Sequence, residues 1–241
     1  MIRSDYILQM VEEFVRALSR INRLKREEQW EQADEEIRKE LQRLFGGGEL
    51  EGIESVSQTE LLSQLIQSDS AFAVQEKVFM LATLLNEAGE VARNEGQEAR
   101  AVALQLQGLN LLLDGMNRRG VIDLPDYAPK IEVFLQSMAS LGVEPPMRTY
   151  AMLMQYYEKT EQYGKAEDAL FEMRDAEPGS RELKEFAISF YHRLLEKSEV
   201  ELDRGGLPRE EIESELERIR SRGGGEPGME PESGAPVKPG E

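Results

Sequence analysis

The chain has no cysteine and a single histidine, His192. The first absence removes disulfides and thiolate zinc sites and fits a reducing compartment. The second excludes the paired Glu-x-x-His motifs of di-iron bundles and leaves zinc without its usual nitrogen donors. A histidine-based triad needs a nucleophile beside its base, and no Gly-x-Ser-x-Gly elbow occurs. His192 is flanked by Phe190, Tyr191, Leu194 and Leu195, which reads as a partly buried position on a helix flank.

Long apolar runs are also missing. The most apolar region, 101–113, is broken by Gln105, Gln107 and Asn110, and falls short of the ~20 residues that span a bilayer. The opening residues carry Asp5, Glu12 and Glu13 where a signal peptide needs an uninterrupted apolar stretch. The expectation is a cytoplasmic protein that is neither exported nor membrane-spanning. Gly46, Gly47 and Gly48 are not followed by Gly-Lys-Ser/Thr, so they form no phosphate loop, and no dinucleotide or kinase fingerprint appears.

Acid is plentiful. Asp and Glu number 47 against 29 Lys and Arg, a net charge of −18. Such a field repels nucleic-acid phosphates and anionic lipid, and draws basic partners. At 40% hydrophobic and 32% charged, the chain is more polar than an average globular domain. Elongated helical proteins have this balance because most of their residues lie near a surface.

Helical periodicity begins at once. Tyr6, Met10, Phe14, Ala17, Leu18, Ile21 and Leu24 recur at three and four, with Ser4 or Asp5 as the cap. Trp30, Ala33, Ile37, Leu41 and Leu44 form a second stripe, ended by the three glycines. Ser57 and Glu60 have capping-box spacing, which predicts a short helix through Ile66. Longer helices follow over about 70–94 and 97–116. Pro125 and Pro129 lead into another through Leu141, and Pro145-Pro146 opens the next. Helices are then expected at about 147–160, 163–176, 181–203 and 208–221. From Gly223 onward Gly, Pro and Glu dominate, too little apolar surface to offset ordering entropy, so 223–241 is predicted to be a disordered acidic tail. No β-alternation occurs, and the expected fold is all-α.

Three segments share one pattern: Trp30 and Ala33 with Ile37, Gly96 and Glu98 with Ala101, and Tyr163 and Ala166 with Leu170. A small alanine lets two helices approach closely. Ala33 and Ala101 are 68 residues apart, and Ala101 and Ala166 are 65 apart. The first spacing is twice the tetratricopeptide period. The segment carrying Leu85, Ala88, Gly89, Ala92, Gly96, Ala101, Gly108 and Leu109 resembles that repeat, as does the one carrying Tyr150, Leu153, Tyr157, Tyr163, Ala166, Leu170 and Pro178. Arg20, Glu40 and Met154 depart from it. The resemblance implies stacked antiparallel helix pairs in an α-solenoid, with an N-terminal hairpin over 1–48, a tetratricopeptide-like region over 49–222 and the tail over 223–241.

Most of the chain also resembles a family of uncharacterised bacterial proteins, a domain of unknown function. The likeness rests on Ile2 to Leu8 through Leu18, on Tyr156 to Lys159 with Ala166 to Leu170, and on Leu207 to Glu211. It implies a bacterial cytoplasmic helical protein and carries no activity.

Acidic pairs such as Glu12-Glu13, Glu35-Glu36 and Glu210-Glu211 diverge by about 100° on a helix and read as solvated faces. Arg16, Arg20 and Arg23 share a helix face, either paired along the helix or open to an acidic segment. Aromatics concentrate between Tyr150 and Tyr191, with core packing as the plain reading. If the tetratricopeptide resemblance holds, first helices line the concave face. Its polar residues are Asn22, Lys25 and Arg26, then Asn86, Glu90, Arg93 and Asn94, then Arg148, Gln155 and Lys159. These do not reproduce that family's carboxylate clamp. The expected function is a non-catalytic module binding a protein or peptide in a helical groove, without cofactor, metal or nucleic acid. The alternatives are a structural homo-oligomer or a carboxylate or metal-dependent enzyme assembled across helices.

Overall fold

The computed structural model describes residues 2–47, 53, 56–68, 71–119 and 124–221. The predicted tail, 223–241, lies outside the described residues. Among these there is no strand, and the helices are α1 (Ile2–Arg26), α2 (Trp30–Leu44), α3 (Gln58–Ser68), α4 (Ala71–Asn94), α5 (Glu98–Arg119), α6 (Ile131–Ser140), α7 (Met147–Lys159), α8 (Tyr163–Ala176), α9 (Arg181–Leu195), α10 (Glu199–Arg204) and α11 (Arg209–Ser221). The fold is all-α.

One turn is built three times. Glu28, Gly96 and Glu161 take left-handed φ values of 56°, 75° and 58°. The next amide, of Gln29, Gln97 or Gln162, donates back to the carbonyl of Leu24, Ala92 or Tyr157 at 2.8–2.9 Å. This closes the first helix in a Schellman arrangement. The carbonyl of the same glutamine then accepts from the amide of Ala33, Ala101 or Ala166 at 2.9–3.1 Å, which launches the second helix. All three alanines are buried, at 0–1% exposure, so the shared sequence pattern marks a shared hairpin.

These hairpins are α1–α2, α4–α5 and α7–α8. The first packs on the second through both α1 and α2 against α4, whereas the second meets the third through α5 against α7. Helix α6 lies on α5, with Phe134 fully buried where Gly108 has no side chain; a Cβ at 108 would stand 2.8 Å from the Phe134 ring. Helix α9 pairs with α11 and rests on α8. A single cluster of buried residues runs from Phe14 to Ile219.

Sequence pattern and structure differ at several helix ends. Helix α1 begins at Ile2, so Ser4 and Asp5 lie inside its first turn rather than capping it. It has 25 residues against 15 in α2, a difference of about 15 Å at 1.5 Å per residue. That overhang leaves Tyr6, the start of the apolar stripe, 53% exposed. The helix expected over 181–203 is two helices. Ser198 forms a capping box with Glu201 and starts α10 afresh. His192 is exposed, with Nε2 3.0 Å from Arg220 Nη2, because it faces away from the buried Phe190, Tyr191 and Leu194.

Candidate functional site

The polar residues expected on the first-helix faces fall into two separate groups. In the first, Lys25 of α1 reaches across to α4, ion-pairing with Glu87 and, at 2.6 Å, with Glu90. The Lys25 side chain is only 13% exposed. Burial pushes its ammonium pKa down, but Glu87 and Glu90 together outweigh that and raise it. Burial raises the Glu87 carboxyl, with Lys25 opposing. Asn86 is buried, donates to Glu87 at 3.5 Å, and receives Gln105 Nε2 on its backbone carbonyl at 3.2 Å. Around this knot Arg26 donates to the Asn22 carbonyl at 3.3 Å, Asn94 to the Glu90 carbonyl at 2.8 Å, and Arg93 to Ser140 Oγ of α6 at 3.4 Å. Of the seven residues from Asn22 to Asn94, Lys25 and Glu90 pair across the joint between α1 and α4 with Asn86 buried beside Glu87, whereas Arg26 and Asn94 bond within their own helices and Arg93 reaches α6.

The second group is on α7. Arg148, Gln155 and Lys159 are all exposed and lie on one helix face, at spacings of seven and four. They do not meet the first group, because α7 packs on α5 and Lys159 donates to the Asn117 carbonyl at the end of α5. Gln155 and Lys159 border a cleft of about 440 Å³ shared with Glu158, Glu161, Tyr163 and Lys197. Both acids are spoken for. Arg193 of α9 grips Glu158 with two hydrogen bonds of 2.8 and 2.9 Å, and Arg204 of α10 pairs with Glu161. Such two-pronged pairs fix geometry as well as charge. Lys159 and Lys197 remain as cations without an ion pair among the described residues, facing solvent in a strongly acidic protein.

Other sequence features resolve into packing. Arg20, a departure from the repeat, sits 2.7 Å from Glu36 and 3.7 Å from Glu40, a second departure, so these two compensate each other, and Met154, the third, is buried in the core. Arg16 pairs with Glu12 at 3.5 Å. Tyr157, Tyr163, Phe190 and Tyr191 are core residues, and Phe186 is at the surface.

A buried polar cluster between α8, α9 and α11 was not read from the sequence. Tyr191 donates to Glu167 at 2.7 Å, and Glu215 receives Arg218 at 2.7 Å with Arg174 at 3.9 Å. Burial raises the Glu167 carboxyl to about 7, against the lowering effect of Tyr191. The available signal was Glu215 itself, an acid on the stripe of Ile212, Leu216 and Ile219. Among the described residues no group of three or more side chains could hold a metal ion, and no helix is long and apolar enough to cross a membrane.

Helix hairpins packed edge to edge, with exposed polar faces and a paired-charge cleft, define the class: an all-α protein of successive helix pairs. The chain belongs to DUF6483, a family of unknown function, matched over residues 1–224. No curated protein and no solved structure matches it.

Proposed function

We propose that this protein is a non-catalytic interaction module of tetratricopeptide-like build, holding a peptide segment of a protein partner in the cleft beside α7. The observation that carries this reading is the charge arrangement at that cleft. Glu158 and Glu161 are neutralised by Arg193 and Arg204, which leaves Lys159 and Lys197 to face a ligand. The three repeated turns support a solenoid of hairpins, with α2 on α4 and α5 on α7 as second helix against next first helix. Gln155 supplies amide donors and acceptors at the rim, and the segment that fits is acidic.

The test is selection from a displayed library of random peptides on the intact chain, followed by fluorescence anisotropy of the enriched sequences. Acidic peptides should emerge, and Lys159→Glu with Lys197→Glu should weaken them at least tenfold while helicity is retained. No enrichment, or affinity indifferent to both reversals, would overturn the reading. A second reading, self-association, draws on Tyr6, Leu8 and Val15, exposed by 53%, 58% and 41% on α1. Light scattering on a size-exclusion column separates it, since a strict monomer at micromolar concentration removes it.

A further inference from the structure

A second cleft, of about 450 Å³, opens between the end of α8, the start of α9 and the last turn of α11. Its cations are Arg174, Arg181, Lys184 and Arg218, against two acids, Asp175 and Glu177. Cations outnumber acids on the lining itself, although the chain carries −18 and Glu215 and Glu185, just outside the lining, pair with three of them. Arg174 and Arg218 share one carboxylate, that of Glu215, at 3.9 and 2.7 Å, and Arg181 pairs with Glu185 at 2.9 Å. Arg174 Nη1 is closed off from water and makes no hydrogen bond. A shielded donor without an acceptor is costly, and its nearest carboxylate oxygen, on Glu215, stands 3.9 Å away. Phe171 and Ile219 add apolar surface to the same walls.

We propose that this cleft is the docking site of the chain's own acidic segment, Glu226 to Glu232. Two of its lining residues, Arg218 and Ile219, belong to the helix from which that segment issues. Glu226 is five residues beyond Ser221, within about 17 Å of extended chain. Glu226, Glu230 and Glu232 supply three carboxylates to the lining cations, of which Lys184 has no ion pair among the described residues, and Met229 between them supplies an apolar contact for Phe171 and Ile219. Tethering puts this segment at millimolar effective concentration, so it occupies the cleft ahead of an acidic partner free in solution. This inference is independent of the ligand proposed for the α7 cleft.

The absence of cysteine makes the test direct, because Ser233→Cys creates a single attachment point for a nitroxide in the full chain. The expected result is loss of amide NMR intensity concentrated at residues 174–184 and 218–219. That loss should be reversed by Arg181→Glu with Lys184→Glu, by Glu226, Glu230 and Glu232→Gln, and by molar salt, which shortens screening to about 3 Å. Broadening that is absent, evenly spread or centred on the α7 cleft would overturn the proposal. So would broadening that survives the charge changes, or that passes from a labelled molecule to an isotope-labelled copy without the nitroxide.

Discussion

Tyr191 and Glu167 face each other across the α8–α9 interface, hydroxyl to carboxylate at 2.7 Å, with both side chains buried. The Glu167 carboxyl titrates near 7 in the folded chain, raised by burial from an ordinary 4.5. Between those values the native state holds a proton that the unfolded state has released, so stability falls as pH rises through this window. At about 1.4 kcal/mol per pKa unit the loss is on the order of 3 kcal/mol. Glu167→Gln keeps an acceptor for Tyr191 and removes the titration. Thermal melts from pH 5 to pH 8 should show a flatter profile for the variant and a higher melting temperature at pH 8. An unchanged slope would contradict the assignment.

Gly164 donates its amide to the Gly205 carbonyl at 3.0 Å, and a Cβ at 164 would stand 2.7 Å from the Gly206 carbonyl oxygen. Alanine normally favours a helix over glycine by about 1 kcal/mol. Here Gly164→Ala must push main chain from main chain and should cost about 1–3 kcal/mol instead. Gly205→Ala meets the Tyr163 ring at 2.2 Å and should behave alike. Urea midpoints measure both.

Ala101 and Ala166 are 1% and 0% exposed at the seams of their hairpins. Leucine at either site adds volume where two backbones are close. Ala101→Leu and Ala166→Leu should each lose about 1–3 kcal/mol, or fail to fold. Far-ultraviolet circular dichroism with thermal denaturation decides. Melting temperatures equal to wild type would mean that these seams are loose.

Glu28 holds φ at 56° in an exposed turn, a conformation that suits glycine. Glu28→Gly should raise stability by roughly 0.5–1 kcal/mol, limited by the added freedom of the unfolded chain. The reverse change at the equivalent position, Gly96→Ala at φ 75°, should lower it by about 1 kcal/mol. Chemical denaturation of the two variants gives opposite signs if the turns are equivalent.

The hairpins were legible because their determinants are local: apolar residues at helical spacing and an alanine three positions into the next helix, with a glycine marking the turn only at Gly96 and glutamate holding a left-handed φ at Glu28 and Glu161. The break before α10 was also written locally, in Ser198 and Glu201, but the apolar residues on either side masked it. The polar surface was less legible. Lys25, Asn86 and Glu90 share a helix-face logic with Gln155 and Lys159, yet the first three meet in a joint and the last two border a cleft. That difference depends on α1 packing against α4 and on α7 packing against α5, neither of which is encoded near those residues. Arg20 and Glu40 each look like a defect alone, and only the crossing of α1 and α2 makes them a pair.

The joint at Gly164 and Gly205 is a main-chain contact with the Tyr163 ring laid against Gly205. Exposed side chains at both hairpin ends make no part of this contact, which keeps the terminal pair in register. Its constraint is steric: a methyl group is excluded at Gly164 and Gly205, and the left-handed φ of Gly206 favours a third glycine beside them.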